Sequence, residues 1–118
     1  MINLKPQILK KLEEISDVEI SYYYPEKWIK GKRLISYYEL DNSESDSADD
    51  EEYSSNIAIQ IDLWCDSSSE CSKLAIEVNK KMKELDFKRT LCLDLYEQGA
   101  IKHHKTMRFE KEVILEEE

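Results

Sequence analysis

The stretch Ser54-Ser55-Asn56-Ile57-Ala58-Ile59-Gln60-Ile61-Asp62-Leu63-Trp64 alternates residue by residue. Ile57, Ile59, Ile61 and Leu63 fall on one face of an extended chain, and Asn56, Ala58, Gln60, Asp62 and Trp64 fall on the other. Successive side chains of a strand point to opposite faces, so the pattern specifies a strand that buries one side. Whatever covers that side must itself present a single apolar stripe. The next segment does so. Ser67-Ser68-Ser69-Glu70 has the form of a capping box, in which hydroxyl and carboxylate satisfy free backbone donors at a helix start. Cys71, Leu74, Ala75, Val78, Met82 and Leu85 then recur at helical spacing, with Lys73, Glu77, Lys80, Lys81 and Glu84 between them. One apolar strand face followed by one apolar helix stripe predicts a two-layer α+β core.

Working outward, Pro6 to Ile15 places Ile8, Leu9, Leu12 and Ile15 at helical spacing and predicts a short amphipathic helix. Val18, Ile20, Tyr22 and Tyr24 recur at period two and predict a strand ending at Pro25, which cannot donate to a ladder. Pro25 to Arg33 is a basic connection with one large aromatic and a turn-forming Gly31, and a second strand follows from about Leu34 to Leu40. Downstream of the second helix, Leu91, Leu93 and Leu95 alternate with Cys92, Asp94 and Tyr96. Glu97-Gln98-Gly99-Ala100 supplies a turn, and a last strand is expected over Ile101 to Ile114. The order helix, three strands, helix, two strands predicts an open, mostly antiparallel or mixed sheet of about five strands with both helices on one face. The sequence leaves open whether the third and fourth strands are neighbours.

The chain of 118 residues suits one domain, residues 1–118, with 41% hydrophobic and 36% charged residues. Its formal charge of -9 is unevenly placed. Asp41 to Tyr53 contains seven acids and no base, and Glu116 to Glu118 adds three more. The 17 bases face 16 acids in the rest of the chain, a body near neutrality. Segment 41–53 has almost no apolar surface to offset the entropy of ordering it, so a disordered acidic loop is expected there, and an acidic tail at 116–118. A neutral body argues against general nucleic-acid binding, which needs clustered cations. No apolar run is long enough for a bilayer span, and Met1-Ile2-Asn3-Leu4-Lys5-Pro6 does not begin a secretory leader. Cys65, Cys71 and Cys92 are an odd number, so reduced, partly buried thiols in the cytoplasm are expected.

Several clusters contain chemically capable residues. His103-His104 with Cys65, Cys71 and Cys92 has the residue types of a zinc site but no CxxC or HxxxH spacing, so ordinary strand and core residues are the expectation. Cys71 and Cys92 fall at core positions of the pattern, which disfavours an activated nucleophile. Adjacent histidines on a strand point to opposite faces and cannot act as a pair. The carboxylates of Asp41 to Glu52 lack the glycine and oxygen spacing of an EF-hand. Tyr22, Tyr23, Tyr24, Trp28, Tyr37 and Tyr38 beside basic residues could stack on bases, but strand packing or a protein interface fits the neutral body better. Catalytic, cofactor and metal residues are therefore expected to be none.

Taken together, Tyr24-Pro25-Glu26-Lys27-Trp28 before a strand, the polar hairpin from Asp41-Asn42, the strand Ile57 to Trp64, the helix ending near Met82, the following Phe87 and the closing Lys105-Thr106-Met107-Arg108-Phe109 resemble the tail-terminator or tail-completion proteins of long-tailed bacteriophages and prophages. The resemblance covers most of the chain and rests on order and spacing. It implies a small α+β structural protein, not an enzyme, that ends tail-tube growth and joins tail to head. It further implies a ring, commonly a hexamer, with the tail-tube and head-completion proteins as partners. Such a protein passes from the host cytoplasm to the head–tail junction of the virion. The competing expectation is an acidic regulatory or nucleic-acid-mimicking protein whose carboxylates engage a basic partner. The residues expected at a subunit interface are Lys27, Trp28, Lys30, Lys32 and Arg33 on one side, and Asp46, Asp49, Asp50, Glu51 and Glu52 on the other.

Overall fold

The computed structural model describes residues 1–45 and 52–116. Helix α1 spans Lys5–Leu12, strand β1 Val18–Tyr22, β2 Arg33–Ser45 and β3 Glu52–Cys65. Helix α2 spans Ser68–Glu84, and strands β4 and β5 span Lys88–Leu95 and His103–Glu116. The fold is α+β, in the expected order of helix, three strands, helix, two strands. The five strands form one mixed sheet in the order β1-β2-β3-β5-β4. The β1/β2 pair is parallel and the other three pairs are antiparallel. Strand β5 therefore separates β3 from β4, which answers the neighbour question left open by the sequence. β3 is central because β2 and β5 take up the hydrogen bonds on both its edges.

Both helices cover one face of this sheet. Ile57, Ile59, Ile61 and Leu63 of β3 meet Leu74, Val78 and Met82 of α2 in a core that also takes in Ile8 and Leu12 of α1, Ile35 of β2, and Met107 and Phe109 of β5. The face assignment read from alternation is thus the one the protein uses. Ser67 caps α2 as expected, its hydroxyl accepting from the Glu70 N–H at 3.1 Å. The helices are joined laterally by Lys11 to Glu84 at 3.2 Å and Lys81 to Glu14 at 3.0 Å. These exposed pairs orient more than they stabilise.

Element boundaries differ where backbone geometry overrides the pattern. Helix α1 stops at Leu12, although Ile15 is buried in the turn that follows it, and Asp17 adopts a left-handed φ of 57°. Strand β1 ends at Tyr22, not at Pro25. Tyr23 takes φ 78° while its N–H still donates to the Tyr37 carbonyl at 2.8 Å, and the chain turns out of the sheet before the proline. The expected disorder over 41–53 is corrected at both ends. β2 runs on through Ser45, β3 already starts at Glu52, and Asp41 to Ser45 pair with Ala58 to Ser54. Backbone hydrogen bonding to a central strand replaces the missing apolar surface there, and the Asn42 side chain donates to the Ile2 carbonyl at 2.7 Å. Residues 46–51 of that expected loop lie outside the described residues. Glu116 of the expected tail closes β5, opposite Glu52, and 117–118 lie outside the described residues.

Strands β2, β3 and β5 hold 13, 14 and 14 residues, against 17 for α2. At about 3.3 Å per strand residue and about 1.5 Å per helix residue, the strands outrun the helix by roughly 20 Å. Residues 41–45, 52–56 and 111–116 therefore form an arm beyond the C-terminal end of α2. The molecule is correspondingly elongated, at 53 × 27 × 23 Å.

Candidate functional site

Residues that the sheet turns away from the helices collect under the connection between β1 and β2. Trp64, Asp62 and Gln60 of β3, Ser36 and Tyr38 of β2, and His104 and Thr106 of β5 share that face by register. Residues 23–32 cross over it, which places the parallel β1 beside β2 without a helix in the crossover. Tyr24 and Trp28 stand edge-on to the Trp64 ring at 5.5 and 5.1 Å, and to each other at 5.8 Å. Trp64 donates from its indole nitrogen to Ser36 Oγ at 3.2 Å, and its ring stacks on His104 at 3.6 Å. Edge-to-face and stacked aromatics of this kind give a rigid cluster.

His104 is held from both sides. Nε2 is 2.7 Å from Asp62 Oδ1 and Nδ1 is 3.0 Å from Glu97 Oε1. Carboxylates only accept, so both ring nitrogens donate and the ring is an imidazolium. Burial opposes that charge, but the bonds to Asp62 and Glu97 outweigh it and raise the pKa above the ordinary histidine value. Burial likewise opposes ionisation of Asp62, and hydrogen bonds with His104 and Gln60 overcome it, holding the carboxyl below its usual range. With both nitrogens committed, His104 has no lone pair to offer a metal or a substrate proton. The cluster is an anchor: it ties β3, β5 and the loop bearing Glu97 together beneath the aromatic connection.

A second anchor fixes the same connection at its far end. The Lys102 ammonium, 1% exposed, reaches Asp66 Oδ1 at 2.7 Å and the Lys32 carbonyl at 2.8 Å. Asp66 Oδ2 accepts from the Gly31 N–H at 2.6 Å, where Gly31 turns with φ 82°. Lys102 and then Gly31 hold the Asp66 carboxyl below its ordinary pKa. The basic connection is thus pinned, and it presents Lys27, Lys30 and Lys32 as exposed cations beside Trp28, itself 38% exposed.

The residues expected at an interface are distributed unequally. Lys27, Trp28, Lys30 and Lys32 share one end of the molecule. Arg33 is withdrawn from that set: its guanidinium donates to Glu77 at 2.9 Å and to the Ser16 carbonyl on the helix side, which fixes α2 to the turn before β1. Glu52 lies at the opposite end, on the arm, and Asp46, Asp49, Asp50 and Glu51 lie outside the described residues. Among the described residues, the basic connection and the acidic positions Asp41, Glu44 and Glu52 occupy opposite ends of the β2–β3 pair.

Of the cysteine and histidine candidates, Cys65, Cys71 and the backbone of His103 come together, with Cys71 Sγ 3.4 Å from the His103 carbonyl. The hydrogen bond to Cys71 and burial push the Cys65 thiol up, away from the reactive thiolate. Cys92, expected in the core, is exposed because β4 is an outer strand over which no helix stripe extends. His103 and His104 do diverge, one exposed and one buried. Among the described residues no group of three or more His, Cys, Asp or Glu side chains converges as metal ligands. Also among these residues, no helix is long and apolar enough to cross a membrane. A concavity of about 420 Å³ is a groove at the base of the arm lined by Asp41, Asn56, Ala58, Lys88 and Glu110.

Sequence reasoning missed both anchors. The clue to the first was Asp62 between two isoleucine positions and a tryptophan, a carboxylate on a strand face that had to find a cation if it was covered. The clue to the second was weaker, since Lys102 stands in a turn where lysine is ordinarily solvated. No protein-family model matches this chain, and no curated protein matches its sequence.

Proposed function

We propose that this chain is a structural assembly protein of a long-tailed phage or prophage, which forms a ring at the end of the tail tube and joins tail to head. The polarity of the molecule supports this reading. A rigid, pinned end presents Lys27, Lys30, Lys32 and Trp28, and a three-stranded arm at the other end carries Asp41, Glu44 and Glu112. Opposite charge at opposite ends favours head-to-tail contact between copies, the kind of interface that closes into rings. The expectations of no enzymatic activity, of the tail-tube and head-completion proteins as partners, and of a place at the virion head–tail junction belong to the same proposal.

Electron microscopy of purified chain added to polymerising tail tubes tests it. Rings at one tube end and an arrest of growth are the expected result. Tubes that lengthen unchecked with bare ends would refute the proposal. The acidic arm favours a second reading, a regulator whose carboxylates occupy the phosphate site of a basic partner. That reading predicts unchanged tubes and loss of nucleic acid from the partner when the chain is added.

A further inference from the structure

Strand β4 is an outer strand, and among the described residues no strand lies along its second edge. Leu91, Leu93 and Leu95 stand opposite Arg108, Thr106 and His104 of β5, which places all three on the helix-free face. Leu93 and Leu95 remain 38% and 40% exposed. Natural sheets ordinarily blunt an edge with charge, a bulge or a cover. Here the irregularity between Arg89 and Leu91 and the cations Lys88 and Arg89 guard the start of the strand alone. From Leu91 to Leu95 the ladder is regular and the row is apolar.

The order of charge along β4 selects its occupant. Lys88 and Arg89 begin the strand, and Asp94 and Glu97 stand at and just past its end. A parallel copy would set like charges beside each other, whereas an antiparallel copy sets the basic start of each strand against the acidic end of the other. Antiparallel pairing centred on Leu93 brings Arg89 opposite Glu97 of the second copy, and the Glu97 side chain stays 49% exposed beside its bond to His104. The other outer strand, Val18-Glu19-Ile20-Ser21-Tyr22, has an acid and no base, and lacks this complementarity.

The geometry points to a second copy of this chain as the occupant: two β4 edges pair antiparallel about a two-fold axis at Leu93, joining two sheets into one. Leu93 then faces its own counterpart, and Leu91 faces Leu95 of the second copy in each direction. The axis runs perpendicular to the sheet, so the helices of both copies stay on the same side. Cross-strand leucine pairs and new backbone hydrogen bonds supply the attraction. The pairing belongs to the free chain and does not depend on the tail reading.

Sedimentation equilibrium of the full chain under reducing conditions is the test. An interface this small is weak, so a monomer–dimer equilibrium with Kd on the order of tens of micromolar is expected, weakening as salt rises. Leu93→Lys places two cations on the axis and should raise Kd at least about tenfold. Its circular dichroism and unfolding midpoint should stay unchanged, since the side chain is partly solvated. A nitroxide on exposed Cys92 reports the register, because diagonal partners two residues apart lie about 7 to 8 Å apart at Cα, close enough for strong dipolar broadening. Broadening in wild type that disappears in the Leu93→Lys background supports the pairing. A monomer at every concentration, species that grow past the dimer, a dimer indifferent to Leu93→Lys, or a dimer without broadening would each overturn it.

Discussion

Deleting the same atoms from Ile59 and from Ile76 should have very unequal consequences, although both isoleucines sit in well-formed elements. Ile59 is fully buried at the centre of β3, with Glu39 and Phe109 as its strand neighbours and the α2 stripe above it. Ile59→Ala removes three carbons, a transfer loss of about 2.4 kcal/mol at about 0.8 kcal/mol each. The β-sheet cannot collapse around the hole because β2 and β5 hold β3 on both edges, so a cavity contribution brings the total to about 3 to 4 kcal/mol. Ile76 lies on the outer side of α2 and is 72% exposed. Ile76→Ala gains helix propensity and loses little burial, so its effect should stay within about 0.5 kcal/mol. Urea unfolding followed by circular dichroism measures both, with the midpoint falling sharply for the first variant and hardly at all for the second. Equal losses for the two would show that the helix-facing side of the sheet has been misassigned.

Two further outcomes follow from the helix-free face and the thiols. The imidazolium of His104 has a folded-state pKa above its unfolded one, so its contribution is complete below the unfolded value and fades as pH climbs through the raised one. Asp62, held below its unfolded pKa, contributes above that value and loses its share as pH falls through the lowered one. The stability gap between wild type and His104→Gln should therefore be widest on the mildly acidic side of neutrality and close towards alkaline pH; urea midpoints that differ by the same amount at every pH would exclude the ion pair. In a thiol-reagent time course, Cys92 should react at once, while Cys65 and Cys71 wait for unfolding. Prompt release of all three would mean that the β3–α2 corner opens in the native state.

Alternation from Ile57 to Leu63 and the helical stripe from Cys71 to Met82 were enough to specify the α+β class and the main core, and the same periodicities in the flanking segments set the element order. These patterns are local, and each reports one face of one element. The same pattern reading placed Cys92 in the core, because periodicity records which face a residue takes but not whether anything covers it. Strand neighbours are a property of non-local pairing, so the insertion of β5 between β3 and β4, and with it the bare β4 edge, emerged only from the tertiary structure. The ordered ends of the acidic segment have the same origin: Asp41 to Ser45 have no apolar reason to fold, and they are extended because β3 already lies beside them. Charge composition marked Lys27 to Arg33 and the acidic run as opposites. Only the fold removed Arg33 to Glu77, buried His104 between Asp62 and Glu97, and set Lys102 under Gly31, because a charged side chain finds its partner through elements distant in sequence.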